Sequence, residues 1–412
     1  MSALTSQDVL RPGPGGLKAR LAQLIMTLIP FGMELLRRFK PILAFGKTAY
    51  VVTLHDDVCE VFATDAAFGV VYNANLQVIT GEEPFFLGMP DSLPYHRQLQ
   101  AMRRVVKASD LPALGDRAEA LAASLVAASG GRVEVVSLVR QVAFGLFAPY
   151  FGVPEPSDGR LDVWATRLFE FQFAGSPSDK ELRAEVDEIA PAFRAHIDRE
   201  ITRRKAGPEE IDDVLGRCLK LQAGGEPNYS DVEIRTALLC MVVGGPPQPP
   251  MVVPQAMEQL LRRSDVLADA HKAASAGNDA RLHDIVLEAM RFDPLAPGLP
   301  RVALADWTIA RGTKRATTIP KGATVFAAFA SAMMDERRLP EPKRFEAGRL
   351  PYEYIHFGYG MHECFGRYIN QMTLHRMLKP LLRRPNLRRA AGQEGRLKKT
   401  GIFASRLYVC HD

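Results

Sequence analysis

The sequence predicts a mainly α-helical fold with a smaller β portion. Long stretches with apolar residues at helical spacing fill the middle of the chain, as in 117–128 and 180–204. Short β-branched runs lie near both ends, at 49–54 and 406–410. With 412 residues, 47% hydrophobic and 24% charged, the composition is that of a globular protein and excludes a disordered or fibrous one. We expect one domain over 17–412, preceded by a flexible, Pro- and Gly-rich N-terminus at 1–16.

The predicted elements follow from the spacing of apolar residues and from Gly and Pro breaks. In chain order they are a strand at 49–54, a helix through Val58 and Phe62, a helical bulk over 111–221, helices at 232–243, 254–263 and 279–292, short strands at 301–304, 307–310 and 323–327, and a closing strand at 406–410.

The apolar stretch 21–36 is the part of the chain that most resembles a membrane segment. It contains Gln23, Pro30 and Glu34 and is shorter than the roughly 20 apolar residues that a span requires. It therefore predicts an amphipathic helix facing the core, with peripheral membrane contact as the alternative. We expect a cytoplasmic protein without a membrane span.

The charge balance and the cysteines exclude several classes of protein. The 52 Lys and Arg exceed the 47 acidic residues only slightly, so the net charge of +5 does not indicate a nucleic-acid-binding protein. The five cysteines are an odd number, lie far apart and form no CxxC, so they indicate neither a disulfide framework, a zinc ribbon nor a thioether-bound haem. They are Cys59, Cys218, Cys240, Cys364 and Cys410.

Cys364 lies in a glycine-punctuated loop, residues 357–366, that leads into a helical pattern over 367–378. A thiolate at a helix entrance is stabilised by backbone N–H groups and by the helix dipole. The glycines allow the backbone to approach a flat ligand closely. The alternative for an isolated Cys is a small buried hydrophobic residue.

The loop resembles the haem-binding signature of the cytochrome P450 family, FxxGxxxCxG, with Phe357, Gly360, Cys364 and Gly366 at the defining positions. The resemblance extends over about 49–410. It implies a single-domain P450 fold with haem b (iron protoporphyrin IX) between a distal helix and the helix after the Cys loop. Cys364 would then be the thiolate ligand of the iron, a donor that favours O–O cleavage.

Further positions match the family in the expected order. Glu288 and Arg291 are similar to its ExxR motif, and Arg344, in the loop 340–345, would complete a structural Glu-Arg-Arg triad. Because haem carries two propionates, the site also requires basic or donor side chains. The positions that match the family's propionate contacts are His96, Arg301 and His362. Gln100 stands where the family often has an arginine, with Arg103 and Arg104 as possible substitutes or as solvated residues.

The distal helix departs from the family. An oxygen-activating member carries (Ala/Gly)-Gly-x-(Asp/Glu)-Thr, in which the acid and the alcohol relay protons. Alignment on Gly244 and Gly245 places Pro247 at the acid position and Gln248 at the alcohol position. The prolines within 246–250 predict a helix break, because each lacks an N–H and clashes with the preceding turn. The alternative is a loop in another register, with Gln248 pointing elsewhere.

These features predict an iron-dependent oxidoreductase. The family favours a monooxygenase, whereas the missing relay favours a peroxide- or hydroperoxide-dependent isomerase, dehydratase or peroxygenase; a haem-binding sensor or carrier is a third alternative. No GxGxxG follows a strand, so reduction would require a separate ferredoxin or flavodoxin-type donor. Its predicted docking residues are Arg97, Arg103, Arg104 and Arg367, with solvated arginines as the alternative.

The resemblance implies a small to medium, largely apolar substrate. The segments predicted to line its pocket are apolar, although such runs more often belong to the core. They comprise Phe85, Phe86, Leu87, Met89, Phe169, Phe171, Phe173 and the segment 294–299.

Overall fold

The computed structural model describes residues 9–11, 16–175, 178–207 and 210–412. It confirms a mainly helical fold with a smaller β portion. Most of the predicted flexible segment 1–16 lies outside the described residues.

The helices of the described residues include all those predicted. They are α1 Gly16–Phe39, α2 His55–Ala63, α3 Asn73–Thr80, α4 Leu93–Val105, α5 Leu111–Ala127, α6 Val135–Phe151, α7 Leu161–Phe173, α8 Lys180–Ala206, α9 Val214–Ala223, α10 Asp231–Gly244, α11 Pro249–Leu261, α12 Ser264–Ser275, α13 Asp279–Phe292, α14 Phe329–Ala332 and α15 Arg367–Leu382.

The strands are short and form four small sheets within the described residues. They are β1 Ile42–Phe45, β2 Ala49–Val52, β3 Phe68–Val70, β4 Arg132–Glu134, β5 Leu299–Ala303, β6 Trp307–Ile309, β7 Thr317–Ile319, β8 Thr324–Ala327, β9 Arg388–Arg389, β10 Lys398–Thr400, β11 Phe403–Arg406 and β12 Tyr408–Cys410.

The chain forms two compact units. The first comprises described residues within 1–10, 72–254 and 368–412; the second comprises those within 11–71 and 255–367. The first unit is a helical assembly in which α5 packs on α6, α7 on α8, and α10 on α6, α7 and α8. Its small sheet has the order β4-β12-β9.

The second unit contains a five-stranded sheet of order β1-β2-β8-β5-β3. Strands β2 and β8 are parallel, whereas β5 runs antiparallel to both β8 and β3. This register places Arg301 between Val325 of β8 and Val70 of β3. One face of the sheet packs against α2 through buried residues such as Val58 and Phe62. This sheet therefore sets the position of Arg301, one of the predicted site residues.

Several boundaries differ from the sequence prediction, most of them by a few residues, and two of the differences change an element. The predicted closing strand 406–410 is wrong as a single element, because β11 ends at Arg406 and β12 begins at Tyr408. The buried Leu407 lies between them and donates its backbone N–H to Glu134 Oε1 at 2.9 Å, outside any strand ladder.

The predicted helix break is present but shorter than the proline cluster. Helix α10 ends at Gly244, and α11 already begins at Pro249. Pro249 and Pro250 occupy the first turn of α11, where the N–H groups have no partner within the helix, so proline is tolerated there. The break therefore spans only 245–248.

Candidate functional site

The Cys364 loop lies in the second unit and is fixed by its own backbone. The Cys364 N–H donates to the Phe357 carbonyl at 2.8 Å, which closes the loop, and the Arg367 N–H donates to the Cys364 carbonyl at 3.1 Å. Burial raises the pKa of the Cys364 thiol to about 11, and a hydrogen bond from the Gly366 backbone N–H acts in the opposite direction. A buried thiol of this kind loses its proton when a metal cation replaces it.

The glycines of this loop have a steric role. Gly358 and Gly360 adopt φ of +83° and +74°, a region that L side chains avoid. A Cβ at Gly360 would also lie 2.7 Å from the Phe62 carbonyl oxygen of α2. The loop therefore requires glycine at 360 for its conformation and for its close approach to α2.

Two of the predicted propionate-binding residues lie close together in the second unit. The side chain of His362 is buried, with Nε2 4.0 Å from Asp65 Oδ1. Burial, together with the positive charge of nearby Arg301, lowers the pKa of His362 to about 4. Arg301 is buried as well; its Nη1 donates to the Pro300 carbonyl at 3.1 Å and its guanidinium lies 4.9 Å from the ring centroid of Phe62. This places two buried basic side chains beside each other.

The ExxR pair forms a buried ion pair. Glu288 and Arg291 are both fully buried, and Arg291 donates to Glu288 at 2.8 Å through Nε and at 2.6 Å through Nη2. The Tyr354 hydroxyl donates to Glu288 Oε2 at 3.1 Å, and the Glu346 backbone N–H to Oε1 at 3.0 Å. The pair therefore fastens α13 to the segment that leads into the Cys364 loop.

The predicted third member of this cluster is wrong. The Arg344 side chain is exposed and pairs with Glu341, so it contributes only its backbone carbonyl, which accepts from Arg291. Arg349 takes the predicted place: it is buried, and its Nε donates to Glu288 Oε1 at 3.3 Å. Arg344 lies in the proline-bounded loop 340–345 and Arg349 follows it by four residues, and the sequence carries no signal that tells the two apart.

In the first unit, the break after α10 is closed by Gln248. Its Nε2 donates to the carbonyl oxygen of Gly244, four residues earlier, and its backbone N–H donates to the Gly245 carbonyl at 3.2 Å. Gly244, Gly245 and Gln248 are half-buried, whereas Pro246 and Pro247 are buried. Nothing lies within 4 Å of the place that a Cβ at Gly244 would occupy, so open space adjoins this turn.

The remaining predicted residues of the first unit are less enclosed. His96 is more than half exposed, and its Nε2 lies 2.7 Å from Asp91 Oδ1. Arg97 and Arg103 are exposed, and Arg104 pairs with Glu226 at 2.7 Å. Arg367, in the second unit, pairs with Glu363.

The predicted apolar segments are partly core and partly cavity wall. Phe169 is buried and Phe173 exposed, with ring centroids 5.0 Å apart. Phe85 and Phe86 are buried and line a cavity of about 170 Å³ in the first unit. Met102 and Ile234 also line it.

The second unit fits an iron porphyrin. It offers a sulfur donor that accepts a backbone N–H bond, a loop with glycine at the position of close approach, and two buried basic side chains suited to carboxylates. Cys364 would bind the iron, and Arg301 and His362 would receive the propionates. Fold and donor set together define a haem-thiolate protein.

Comparisons with known proteins agree with a haem-thiolate site in this chain. The family model for cytochrome P450 matches residues 281–403. The mycinamicin IV hydroxylase/epoxidase of Micromonospora griseorubida is 26% identical over 84% of each chain. The open cytochrome P450 EryK from S. erythraea has a TM-score of 0.76 at 21% identity, covering 97% of this chain and 98% of its own. A bifunctional dioxygenase–epoxy alcohol synthase of Pyricularia oryzae is 34% identical over 121 residues, 29% of this chain and 10% of that protein.

The cytochrome P450 model matches the part of the chain that holds the ExxR pair and the Cys364 loop, and the fold is that of solved cytochrome P450 structures over nearly the whole chain. With the donor set, these findings indicate a haem-thiolate oxidoreductase with haem b as its cofactor. Among the described residues, no helix is long and apolar enough to cross a membrane.

Proposed function

We propose that the chain is a monooxygenase of a small to medium, largely apolar molecule and that a separate ferredoxin or flavodoxin-type protein in the cytoplasm reduces it. The Cys364 loop carries this proposal, because it presents a sulfur, stabilised as a thiolate by the Gly366 N–H, that would hold a haem iron, and thiolate-bound haem supplies oxygen activation. The relative from Micromonospora griseorubida, named as a hydroxylase/epoxidase, supports the reaction class.

The residues around the cofactor bind and orient it. Bound haem supplies oxygen activation at its iron, and the protein supplies ligation, charge and position. Gly366 donates a hydrogen bond that limits the electron density on the Cys364 sulfur. Arg301 would balance propionate charge, and His362, whose lowered pKa keeps it uncharged, would donate a ring N–H to a propionate. His96 would add a propionate contact from α4.

Proton delivery is the unusual part of this proposal. Positions 246–250 hold no titratable side chain, and the Gln248 amide donates to the Gly244 carbonyl. An amide donates and accepts hydrogen bonds but does not exchange a proton as an acid does. Monooxygenation here would therefore draw its protons from water or from a substrate hydroxyl near Gly244, Gly245 and Gln248.

The same observation favours a second candidate, a hydroperoxide-dependent reaction. A hydroperoxide substrate supplies oxygen that is already reduced to the peroxide level. It therefore does not need the acid and alcohol that relay protons to bound dioxygen. The local likeness to a protein named as an epoxy alcohol synthase points in the same direction. In this case Gln248 would bind the hydroperoxide group through its amide, and no donor protein would be required.

Two parallel turnovers test the proposal. Purified holoprotein receives a panel of fatty acids, terpenes and aromatic compounds, either with a ferredoxin, its reductase and O2, or with hydrogen peroxide or a lipid hydroperoxide and no reductant. Product in the reductive arm supports monooxygenation. Product in the peroxide arm alone transfers the assignment to the second candidate, and product in neither arm favours a sensor or carrier.

Variants separate the distal and proximal parts of the site. Gln248→Thr restores an alcohol at the relay position, so we expect a larger fraction of consumed electrons to reach product; no change would contradict a role for this turn. Cys364→Ala should abolish the thiolate-type spectrum of the reduced CO complex, whereas Cys59→Ala, a half-buried cysteine of the same unit, should retain it.

Donor docking has its own test. Arg97 and Arg103 on α4 are exposed, whereas the other two predicted docking residues, Arg104 and Arg367, form ion pairs with Glu226 and Glu363. Arg97→Glu and Arg103→Glu together should slow reduction by a ferredoxin and leave peroxide-supported turnover unchanged. Equal reduction rates at low ionic strength would exclude this face.

A further inference from the structure

Helix α1 presents an apolar stripe to solvent. Leu28, Phe31, Leu35 and Phe39, spaced three and four residues apart, are 53, 63, 42 and 80% exposed. At 1.5 Å per residue, the stripe extends over about 16 Å of helix. This spacing is that of a core-facing helix, yet the stripe faces outward.

The opposite side of α1 is anchored, so the orientation of the stripe is fixed. Arg37 is buried, and its Nη1 donates to Ser331 Oγ of α14 at 3.0 Å and to the Ser331 carbonyl at 3.3 Å. Lys343 pairs with Glu34 at 2.7 Å. Turning the stripe toward the protein would break these bonds and expose a buried guanidinium.

A basic groove lies beside the stripe. Its volume is about 330 Å³, and it runs between α1 and the segment 334–344. Its lining has five basic side chains against three carboxylates. The basic ones are Arg37, Arg38, Arg337, Lys343 and Arg344. Lys40, at the end of α1, and Lys47, in the β1–β2 turn after the 58% exposed Phe45, extend the positive charge.

We propose that the apolar stripe of α1 and the basic groove dock on an anionic phospholipid surface. The stripe enters the boundary between headgroups and acyl chains, and the groove and its neighbouring lysines attract lipid phosphates.

A bilayer fits this surface better than a protein partner does. Four apolar side chains on one helix are far fewer than the roughly 20–30 residues per side of a standard protein interface. A lipid surface needs only a short apolar helix with adjacent cations. The docking is peripheral and reversible, and it is independent of the oxidant that the enzyme uses.

The test is co-sedimentation of the holoprotein with vesicles. We expect binding to vesicles of equal parts phosphatidylcholine and phosphatidylglycerol, weaker binding to phosphatidylcholine alone, and release at about 1 M salt, where the Debye length falls to about 3 Å. Absence of binding to the anionic vesicles would overturn the proposal.

Two double variants test the apolar stripe and the basic residues separately. Phe31→Ser with Phe39→Ser should weaken binding by about tenfold or more, because two exposed aromatic rings no longer enter the lipid. Arg38→Glu with Lys40→Glu should weaken binding to anionic vesicles by more than about twentyfold and leave binding to phosphatidylcholine unchanged. Ile211→Ser, an equally apolar exposed position in the first unit, is the matched control.

Two further measurements check that the variants are folded and that the stripe itself enters the lipid. An unchanged far-UV CD spectrum and reduced CO spectrum establish that the variants are folded and loaded. Phe39→Trp should gain fluorescence that brominated lipids quench. Unchanged vesicle binding by the Phe31/Phe39 variant would overturn lipid docking. A wild-type dimer that this variant abolishes would also overturn it, because a second copy of the chain would then cover the stripe.

Discussion

Replacing Arg349 by Ala should destabilise the protein strongly, whereas replacing Arg344 should not. Arg349 is buried against Glu288, and its guanidinium also donates to the carbonyls of Pro340 at 2.9 Å and Glu341 at 3.1 Å. Arg344 is 67% exposed, and its partner Glu341 is equally exposed. The two arginines are five residues apart, so each serves as the matched control for the other.

The expected magnitudes follow from burial. Glu288 keeps Arg291 as its ion-pair partner, but Arg349→Ala removes one charge-assisted bond to Glu288 and leaves the carbonyls of Pro340 and Glu341 without their donor. At about 1–3 kcal/mol for each such group, the expected total is about 3–5 kcal/mol. The exposed Arg344–Glu341 pair contributes about 0–1 kcal/mol. Against a typical unfolding free energy of about 5–15 kcal/mol, the first loss is large and the second is small.

Urea unfolding of the holoprotein, followed by the Soret band and by far-UV CD, measures both variants. With a slope of about 3 kcal/mol per M for a chain of this size, Arg349→Ala should lower the midpoint by about 1 M or more and Arg344→Ala by about 0.3 M or less. Equal shifts, or a larger one for Arg344→Ala, would refute the assignment of Arg349 to this cluster.

Two more predictions concern the Cys loop and the first unit. Gly360→Ala should lower haem occupancy, because a positive φ costs about 1–2 kcal/mol and the new Cβ would lie 2.7 Å from a carbonyl oxygen. The control is Gly322→Ala, at φ +84° with open space around it, which should show the backbone cost alone. Equal effects of the two substitutions would exclude a steric role for Gly360. Burial opposes ionisation of Asp110, but hydrogen bonds, led by that from Arg217, outweigh it and hold the pKa of Asp110 below its usual range. The Asp110–Arg217 pair therefore contributes its full stability above the unfolded pKa of Asp110, about 3.9, and loses it as the pH falls through the lower folded pKa. Acid unfolding of Asp110→Asn should consequently depend less steeply on pH than that of the wild type.

Local features were predictable from the sequence because they depend on residues close together in the chain. Helix α13 runs over 279–292 as predicted, since Asn278 caps it by accepting from the Arg281 N–H at 3.0 Å. The Cys364 loop depends on a hydrogen bond across seven residues and on glycines within it. The proline-induced break after Gly244 also follows from local backbone chemistry.

Contacts between distant residues were decided by the tertiary structure. Glu288 and Arg349 are 61 residues apart, and the path of the intervening chain selects Arg349 over Arg344. The sequence of α1 shows an amphipathic pattern but does not show which face packs against the rest of its unit. The hydrogen bond from Arg37 to Ser331, 294 residues away, holds the opposite face inward and leaves the apolar stripe exposed.

The sequence by itself determined the helical class, the glycine loop around Cys364 and the helix break after Gly244, because each depends on neighbouring residues. Only the tertiary structure decided which arginine completes the buried cluster and that α1 exposes its apolar side, because these depend on where distant segments meet.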